Sequence, residues 1–315
     1  MGSAPYDVLT MGRVGVDLYP LQSGVRLADV QTFQKFLGGT ATNVAVGAAR
    51  YGHKAAVITK VGDDPFGTYV REALRGFGVD DRYVGTDPSL RTPVVFTELF
   101  PPDSFPILFY REPKAPDMNL ALDELDLDAV RSARIFWTTG TGLSDEPSRS
   151  ATLGALEARA RSGITVHDLD YREMFWPSPR EAGSYQRRAL GLATVAVGNR
   201  EEASVAVGED EPEALAKRLL DLGLELAVIK LGPQGVLVAS QHDMERVPPV
   251  QVRVVNGLGA GDAFGAALCH GLLLGWEIAR TIRFANAAGA YVAGQLACAD
   301  AMPTEAQVEE LLSGA

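Results

Sequence analysis

The residues with the clearest chemical potential are Gly259-Ala260-Gly261-Asp262, followed by Phe264. An alternating segment, 250–255, precedes them, and a helical pattern with Ala263, Ala266 and Ala267 on one side follows. Residues this small let successive backbone N–H groups face a cavity. The first turn of a helix leaves those donors without internal acceptors, and its dipole favours negative charge. The stretch suits a phosphate, or the charge that develops on a transferring phosphoryl group. Asp262 does not suit holding such an anion, because like charges repel. It suits taking the proton of an attacking hydroxyl. Taken alone, the same residues read equally well as a tight turn with an acidic helix cap. No Gly-Lys-Ser/Thr closes the stretch, so it is not a P-loop. Gly12-Arg13-Val14-Gly15 lacks a third glycine, so the N-terminus carries no dinucleotide fingerprint.

Composition narrows the classes. The chain has 315 residues, 46% of them hydrophobic, with a formal net charge of -11. That supplies a sizeable core and argues against a nucleic-acid backbone binder, which needs a basic surface. Cys269 and Cys298 make no disulfide framework and read as buried thiols. The four histidines lack metal-ligand spacing. No basic-then-apolar leader and no long apolar run are apparent, so no membrane partner and a cytoplasmic location are expected. Met1-Gly2-Ser3 reads as an ordinary start rather than an acylation signal.

The elements that must position Asp262 follow a regular rhythm. Short apolar segments at 6–11, 54–60, 133–138, 164–168, 194–197 and 226–230 alternate with helical patterns at 43–51, 64–76, 148–161 and 212–222. A turn is expected at 198–201, a further strand at 235–240, and helices at 261–275, 277–293 and 304–312. Such alternation is the signature of βαβ units on a parallel sheet. Segments of about 14–37 and 90–113 break the rhythm with β-rich, turn-rich sequence. The expected architecture is therefore one three-layer α/β/α domain over 1–315, with a mostly parallel central sheet and a small inserted β lid. Ligands of open α/β sheets bind beyond the carboxyl ends of the strands. That rule places Asp17, Asp168, Asp170, Asn199, Glu202 and Lys230 in a common cleft.

Two motifs together resemble the ribokinase-like (PfkB-type) carbohydrate kinases. Gly38-Gly39-Thr40-Ala41-Thr42-Asn43-Val44-Ala45 looks like the N-terminal signature of that family, and Gly259-Ala260-Gly261-Asp262 like the C-terminal one. The resemblance runs over nearly the whole chain. Asp168-Leu169-Asp170-Tyr171-Arg172 with Trp176, Phe109-Tyr110-Arg111, and Cys298 through Thr304 resemble most the subfamily that phosphorylates 5-dehydro-2-deoxygluconate in inositol catabolism. The resemblance implies ATP and Mg²⁺, with Asp262 as base and Gly259, Ala260 and Gly261 as an anion hole. Asp17 and Asn43 would hold sugar hydroxyls, and Gly38 and Gly39 would let the sugar approach. Asn199 and Glu202 match an Asn-x-x-Glu motif associated, indirectly, with Mg²⁺ and phosphate. Lys230 and Gly232 would border the triphosphate, with Gly235 shaping that turn, and Asn286 would sit near the adenine or its ribose. The family admits K⁺ near its final loops. Here Asn256-Gly257 replaces the Asp-Thr pair of many members, which brings the K⁺ requirement into question.

A sugar acid needs a cation to read it. Arg172 is the first choice for its carboxylate or for the phosphoryl group, and Arg111 on the lid the second. Against this, Arg172 could simply pair with Asp168 or Asp170, and Arg111 could be a solvated lid residue. Lys60, His167 and His270 read as structural, and Phe175 and Trp176 as pocket edge or packing beneath it. Lid aromatics Phe33, Phe36, Phe96, Phe105 and Phe109 could close over sugar or bury a homodimer face. The same chemistry on fructose, ribose, 2-keto-3-deoxygluconate or a nucleoside is the nearest alternative. A non-catalytic sugar or nucleotide sensor is another, though a sensor would have no use for Asp262.

Overall fold

Val8 and Leu9 point to opposite faces of one strand, and both are buried. The same split recurs at Val57 and Ile58 and at Trp137 and Phe136. A strand buried on both faces needs helices on both, which is why these segments read as apolar runs. The computed structural model describes residues 5–314, so Met1-Gly2-Ser3 lies outside them.

The strands are β1 Val8–Met11, β2 Gly15–Pro20, β3 Phe33–Gly38, β4 Ala55–Gly62, β5 Val84–Asp87, β6 Val94–Thr97, β7 Ile107–Tyr110, β8 Ile135–Thr139, β9 Ile164–Asp168, β10 Val195–Asn199, β11 Leu226–Lys230, β12 Val236–Ala239 and β13 Met244–Val247. The helices are α1 Thr40–Arg50, α2 Pro65–Gly76, α3 Leu127–Ser132, α4 Ser148–Arg159, α5 Pro179–Leu190, α6 Arg200–Val207, α7 Pro212–Asp221, α8 Ala260–Leu274, α9 Ile278–Ala293 and α10 Glu305–Ser313. Among the described residues the main sheet has nine strands, in the order β13-β12-β11-β10-β9-β8-β1-β4-β5. It is parallel from β11 to β5, and β12 and β13 join antiparallel. One face packs against α1, α2, α8 and α9, the other against α3 to α7, giving three layers. The second sheet, order β3-β2-β6-β7, is the small lid, with β2 and β6 parallel and the outer pairs antiparallel.

Two expectations are corrected. Residues 250–255 form no strand; the sheet edge is β13 instead. Pro248 and Pro249 follow β13 and cannot donate to a ladder, and Val255 and Asn256 then donate to the Ala293 carbonyl at the end of α9. The turn expected at 198–201 is the start of α6. Asn199 accepts from the Glu202 N–H at 2.9 Å, and Glu202 accepts from the Asn199 N–H at 2.7 Å. This reciprocal cap satisfies two otherwise orphaned donors and starts a helix where composition alone suggested a turn.

Candidate active site

A cavity of about 370 Å³ opens at the carboxyl ends of β1, β9, β10 and β11, beneath the lid. Asp17, Gly39, Asn43, Asp168, Asp170, Arg172, Asn199, Glu202, Lys230, Gly232, Gly259, Gly261 and Asp262 all border it. Asp168, Asn199 and Lys230 are the last residues of β9, β10 and β11; the parallel register sets Asn199 opposite Lys230 and Asp168 opposite Val197, two residues before Asn199.

The glycine-rich stretch opens α8. Gly259 takes φ +79°, and an added Cβ would lie 2.5 Å from the Cys298 sulfur, so only glycine fits. No side chain caps this helix. Its first-turn N–H groups, those of Ala260, Gly261 and Asp262, therefore remain available to an anion. Lys230 stands close by: a Cβ on Gly261 would be 3.1 Å from its Nζ.

At the other end, α1 begins with Gly39 at φ +104°, where a Cβ would lie 2.4 Å from the Arg13 carbonyl. One turn later the Asn43 Nδ2 donates to Asp262 Oδ2 at 2.7 Å, while the buried Asn43 Oδ1 has no partner. Burial, reinforced by Asp170, pushes the Asp262 pKa up to about 6, against the opposing Asn43 hydrogen bond and the Arg13 and Lys230 charges. Asp17 is likewise pushed up to about 6 by burial, although the Tyr19 hydroxyl donates to it at 2.7 Å. Burial also raises Asp168, with Lys230 pulling the other way. In Asp170 burial is outweighed by the Arg13 and Arg172 guanidiniums and the Thr141 hydroxyl, and its pKa falls.

Several sequence candidates sit differently from expectation. Gly38 lies behind Asp17, whose carboxylate oxygen would be 2.1 Å from a Cβ there, so it makes room for Asp17. Gly235, at φ +85°, shapes the turn between β11 and β12 against Val247 and does not border the cavity. The Asn286 amide donates to the Pro248 carbonyl at 2.9 Å, and the residue lines neither this cavity nor the cleft beside it. Arg111 is paired through both Nη groups with the buried Asp117. Arg172 reaches Asp170 at 3.1 Å and Glu202 at 3.6 Å. Lys60 ties Asn119 and Glu124 together, and His167 bonds Thr138 and Gln186.

Among the cavity residues not read as such from sequence, two stand out. Cys298 borders it and lies 2.8 Å from the Tyr19 hydroxyl, which links the thiol to Asp17. Arg13 borders it from the end of β1, bonded to Asp170. The signal for Arg13 was its place two residues past an apolar strand, the position that Asp170 also holds. The lid strand β7 divides its side chains by period two. Ile107 and Phe109 face the cavity, whereas Leu108 and Tyr110 are 46% and 62% exposed. Phe105 packs over Gly257.

The adjoining cleft, about 480 Å³, shares Asn199, Lys230 and Gly232 with the cavity and continues it along α6 and the β11–β12 turn. A polar pocket holding a tuned carboxylate beside an uncapped helix start, open on one side to a second cleft, can bring two ligands together end to end.

Comparison with known proteins agrees along the whole chain. The profile of the pfkB family carbohydrate kinase matches residues 6–305. The 5-dehydro-2-deoxygluconokinase of Photobacterium profundum is 36% identical over 309 residues, spanning 96% of this chain and 93% of the relative. That of Clostridium tetani is 33% identical over 317 residues, spanning 98% and 93%. A fructokinase double mutant from Vibrio cholerae O395, solved with fructose, ADP and potassium ion bound, superposes with a TM-score of 0.87 at 28% identity over 99% of this chain and 100% of its own. A sugar kinase from Pyrococcus horikoshii in complex with ATP gives a TM-score of 0.81 at 28% identity, over 96% and 99%. The chain belongs to the pfkB family of carbohydrate kinases.

Proposed function

We propose that this carbohydrate kinase transfers the γ-phosphoryl group of ATP to the primary hydroxyl of a sugar acid, 5-dehydro-2-deoxy-D-gluconate, in inositol catabolism. The observation that carries the transfer chemistry is the Asn43–Asp262 hydrogen bond, which joins the two signature motifs across one cavity. Relatives named for this substrate, matched at 33–36% identity over nearly the full chain, support the sugar acid.

In this reading the sugar lies between Asp17 and Asn43, whose unpartnered Oδ1 offers an acceptor for a hydroxyl. Asp262 accepts the proton of the attacking oxygen. A carboxylate raised to about 6 is a better base than an ordinary one and stays ionised at neutral pH. The N–H groups at the start of α8 and Lys230 meet the charge on the transferring group. The nucleotide occupies the adjoining cleft. Mg²⁺ bound with ATP would neutralise charge on the leaving diphosphate, with Asn199 and Glu202 as the residues bordering it. It usually takes only one or two protein carboxylates, and no cluster of three or more His, Cys, Asp or Glu among the described residues is built to hold a metal. Glu202 fits an indirect role, since one oxygen is held by the α6 cap and the other faces Arg172. Asn256 spends its amide on the Leu296 carbonyl and its oxygen on the Leu258 N–H, so it adds no charge for K⁺, and the reading includes only a modest K⁺ dependence. No helix among the described residues is long and apolar enough to cross a membrane. We place the enzyme in the cytoplasm, as a homodimer through the lid.

ADP release with Mg-ATP tests the reading across 5-dehydro-2-deoxy-D-gluconate, 2-keto-3-deoxygluconate, fructose, ribose and adenosine. Preference for the first acid supports it. Preference for fructose would favour a second reading, motivated by Arg111 and Arg172 both being occupied by carboxylates. Tight binding of sugar or ATP without turnover would point to a sensor.

A further inference from the structure

Arg13 is clamped in a way that leaves one edge of its guanidinium idle. Its Nε donates to Thr141 Oγ1 at 3.0 Å, and its Nη2 to Thr40 Oγ1 at 2.7 Å and to the Asp170 oxygens at 3.1 and 3.3 Å. The Phe109 ring, from the lid, lies 5.8 Å from its Cζ. Nη1 meets no hydrogen-bond acceptor among the described residues, and the residue borders the cavity while only 7% exposed. The two arginines expected to read an acid have no idle Nη group. Arg111 spends both Nη groups on Asp117, and Arg172 spends its own on the Tyr171 carbonyl and Asp170.

The partner that fixes Arg13 is itself held under strain. Asp170 takes φ +26°, a left-handed conformation unusual for a residue with a side chain. Such strain survives only where the surroundings over-determine it, and it clusters at functional sites. The Thr141 hydroxyl donates to Asp170 at 2.8 Å and Arg172 pairs with it at 3.1 Å. A guanidinium held this rigidly loses little freedom when it binds an anion. Position agrees with this. Arg13 is bonded to Thr40, in the first turn of α1, and Asp262 to Asn43, one turn on, a spacing of about 5–6 Å between side-chain roots. A short sugar acid can therefore present its hydroxyl to Asp262 and its carboxylate to Arg13 together.

We propose that Arg13 reads the carboxylate of the substrate through Nη1, with Asp170 and Thr141 as positioning residues, and so sets the preference for sugar acids over neutral sugars. The inference rests on the sugar-acid reading above.

The experiment compares kcat/KM for 5-dehydro-2-deoxy-D-gluconate and for its primary amide, which keeps the shape and loses the charge. A charge-assisted hydrogen bond in a desolvated site gives the wild type an acid-over-amide ratio of about 30 or more. The double variant Arg13→Gln/Asp170→Asn removes both buried charges at once, and Arg172, which loses Asp170, keeps Glu202 as its partner. Its ratio is expected to fall to about 3 or less, chiefly through KM for the acid. Arg13→Lys keeps the charge for folding, but its single Nζ is taken by Asp170, so its ratio falls as well. It decides the matter if the double variant does not fold. A wild-type enzyme that turns over the acid without favouring it over the amide, or variants that keep the wild-type ratio, would overturn the inference alone. A wild-type enzyme that does not turn over the acid would overturn the sugar-acid reading and the inference together.

Discussion

The Asn43 amide donates to the Asp262 carboxylate at 2.7 Å although the two residues are 219 apart in sequence. This contact joins the first turns of α1 and α8, helices packed side by side on one face of the sheet. It aims the carboxylate into the cavity and partly offsets the effect of burial on its charge. Position and basicity of the base therefore depend on the packing of two helices.

Asp262→Asn should lower kcat by about 10²–10⁴-fold in an ADP-release assay, the usual contribution of a positioned general base. It should also stabilise the fold at pH 8. The folded-state pKa, about 6, lies above the ordinary 3.8, so the folded chain binds this proton more tightly than the unfolded chain. That advantage is complete below about pH 4 and is lost as pH rises through 6. Asparagine removes the cost of holding the charge, a gain of about 1–2 kcal/mol. Thermal melts should show the variant ahead at pH 8 and level with wild type near pH 4.

The wild-type kcat/KM should fall as pH drops through about 6, where Asp262 gains its proton. Asn43→Ala removes a hydrogen bond that favours the ionised form, so its acid limb should move to higher pH. A variant whose KM rises while the limb stays near 6 would show that Asn43 serves the sugar alone.

Arg159 is buried and donates to the carbonyls of Val130, Arg131, Ala133, Arg134 and Ile164. It ties the end of α4 to the segment entering β8 and to the start of β9, at the end of the sheet away from the cavity. Arg159→Leu strands several of those acceptors and should cost about 3 kcal/mol or more in urea unfolding. KM for ATP should not change in the protein that remains folded.

Leu108 and Tyr110 are exposed on the outer face of β7, and Leu21 is 57% exposed on the same lid. If the lid is the homodimer face, Leu108→Asp combined with Tyr110→Asp should shift sedimentation from dimer to monomer. A wild-type protein that sediments as a monomer at micromolar concentration would remove the dimer from the reading.

Much of this was legible along the chain because its cause is local. The 226–230 strand and the 148–161 helix pattern were recognisable from apolar period and turn residues, which act within a few neighbours. So was the uncapped start of α8, which needs only small residues in a row. Residues 250–255 misled because alternation resembles a strand wherever it occurs, while pairing depends on a partner edge that Pro248 and Pro249 deny it. The start of α6 was carried by Asn199 and Glu202, whose residue types also suit a metal site, so the local signal had two meanings.

The site divides in the same way. Strand ends were enough to name Asp17, Asp168, Asp170, Asn199, Glu202 and Lys230 as neighbours, because a parallel sheet brings its carboxyl ends to one edge, and the two signature motifs added Asn43 and Asp262. Which arginine keeps an idle Nη group at the cavity was decided only in three dimensions. Asp117 occupies Arg111, Asp170 is shared by Arg13 and Arg172, and Cys298 reaches Tyr19 from 279 residues away. A charge is spoken for or free according to what lies within a few ångströms of it, and distance along the chain does not determine that.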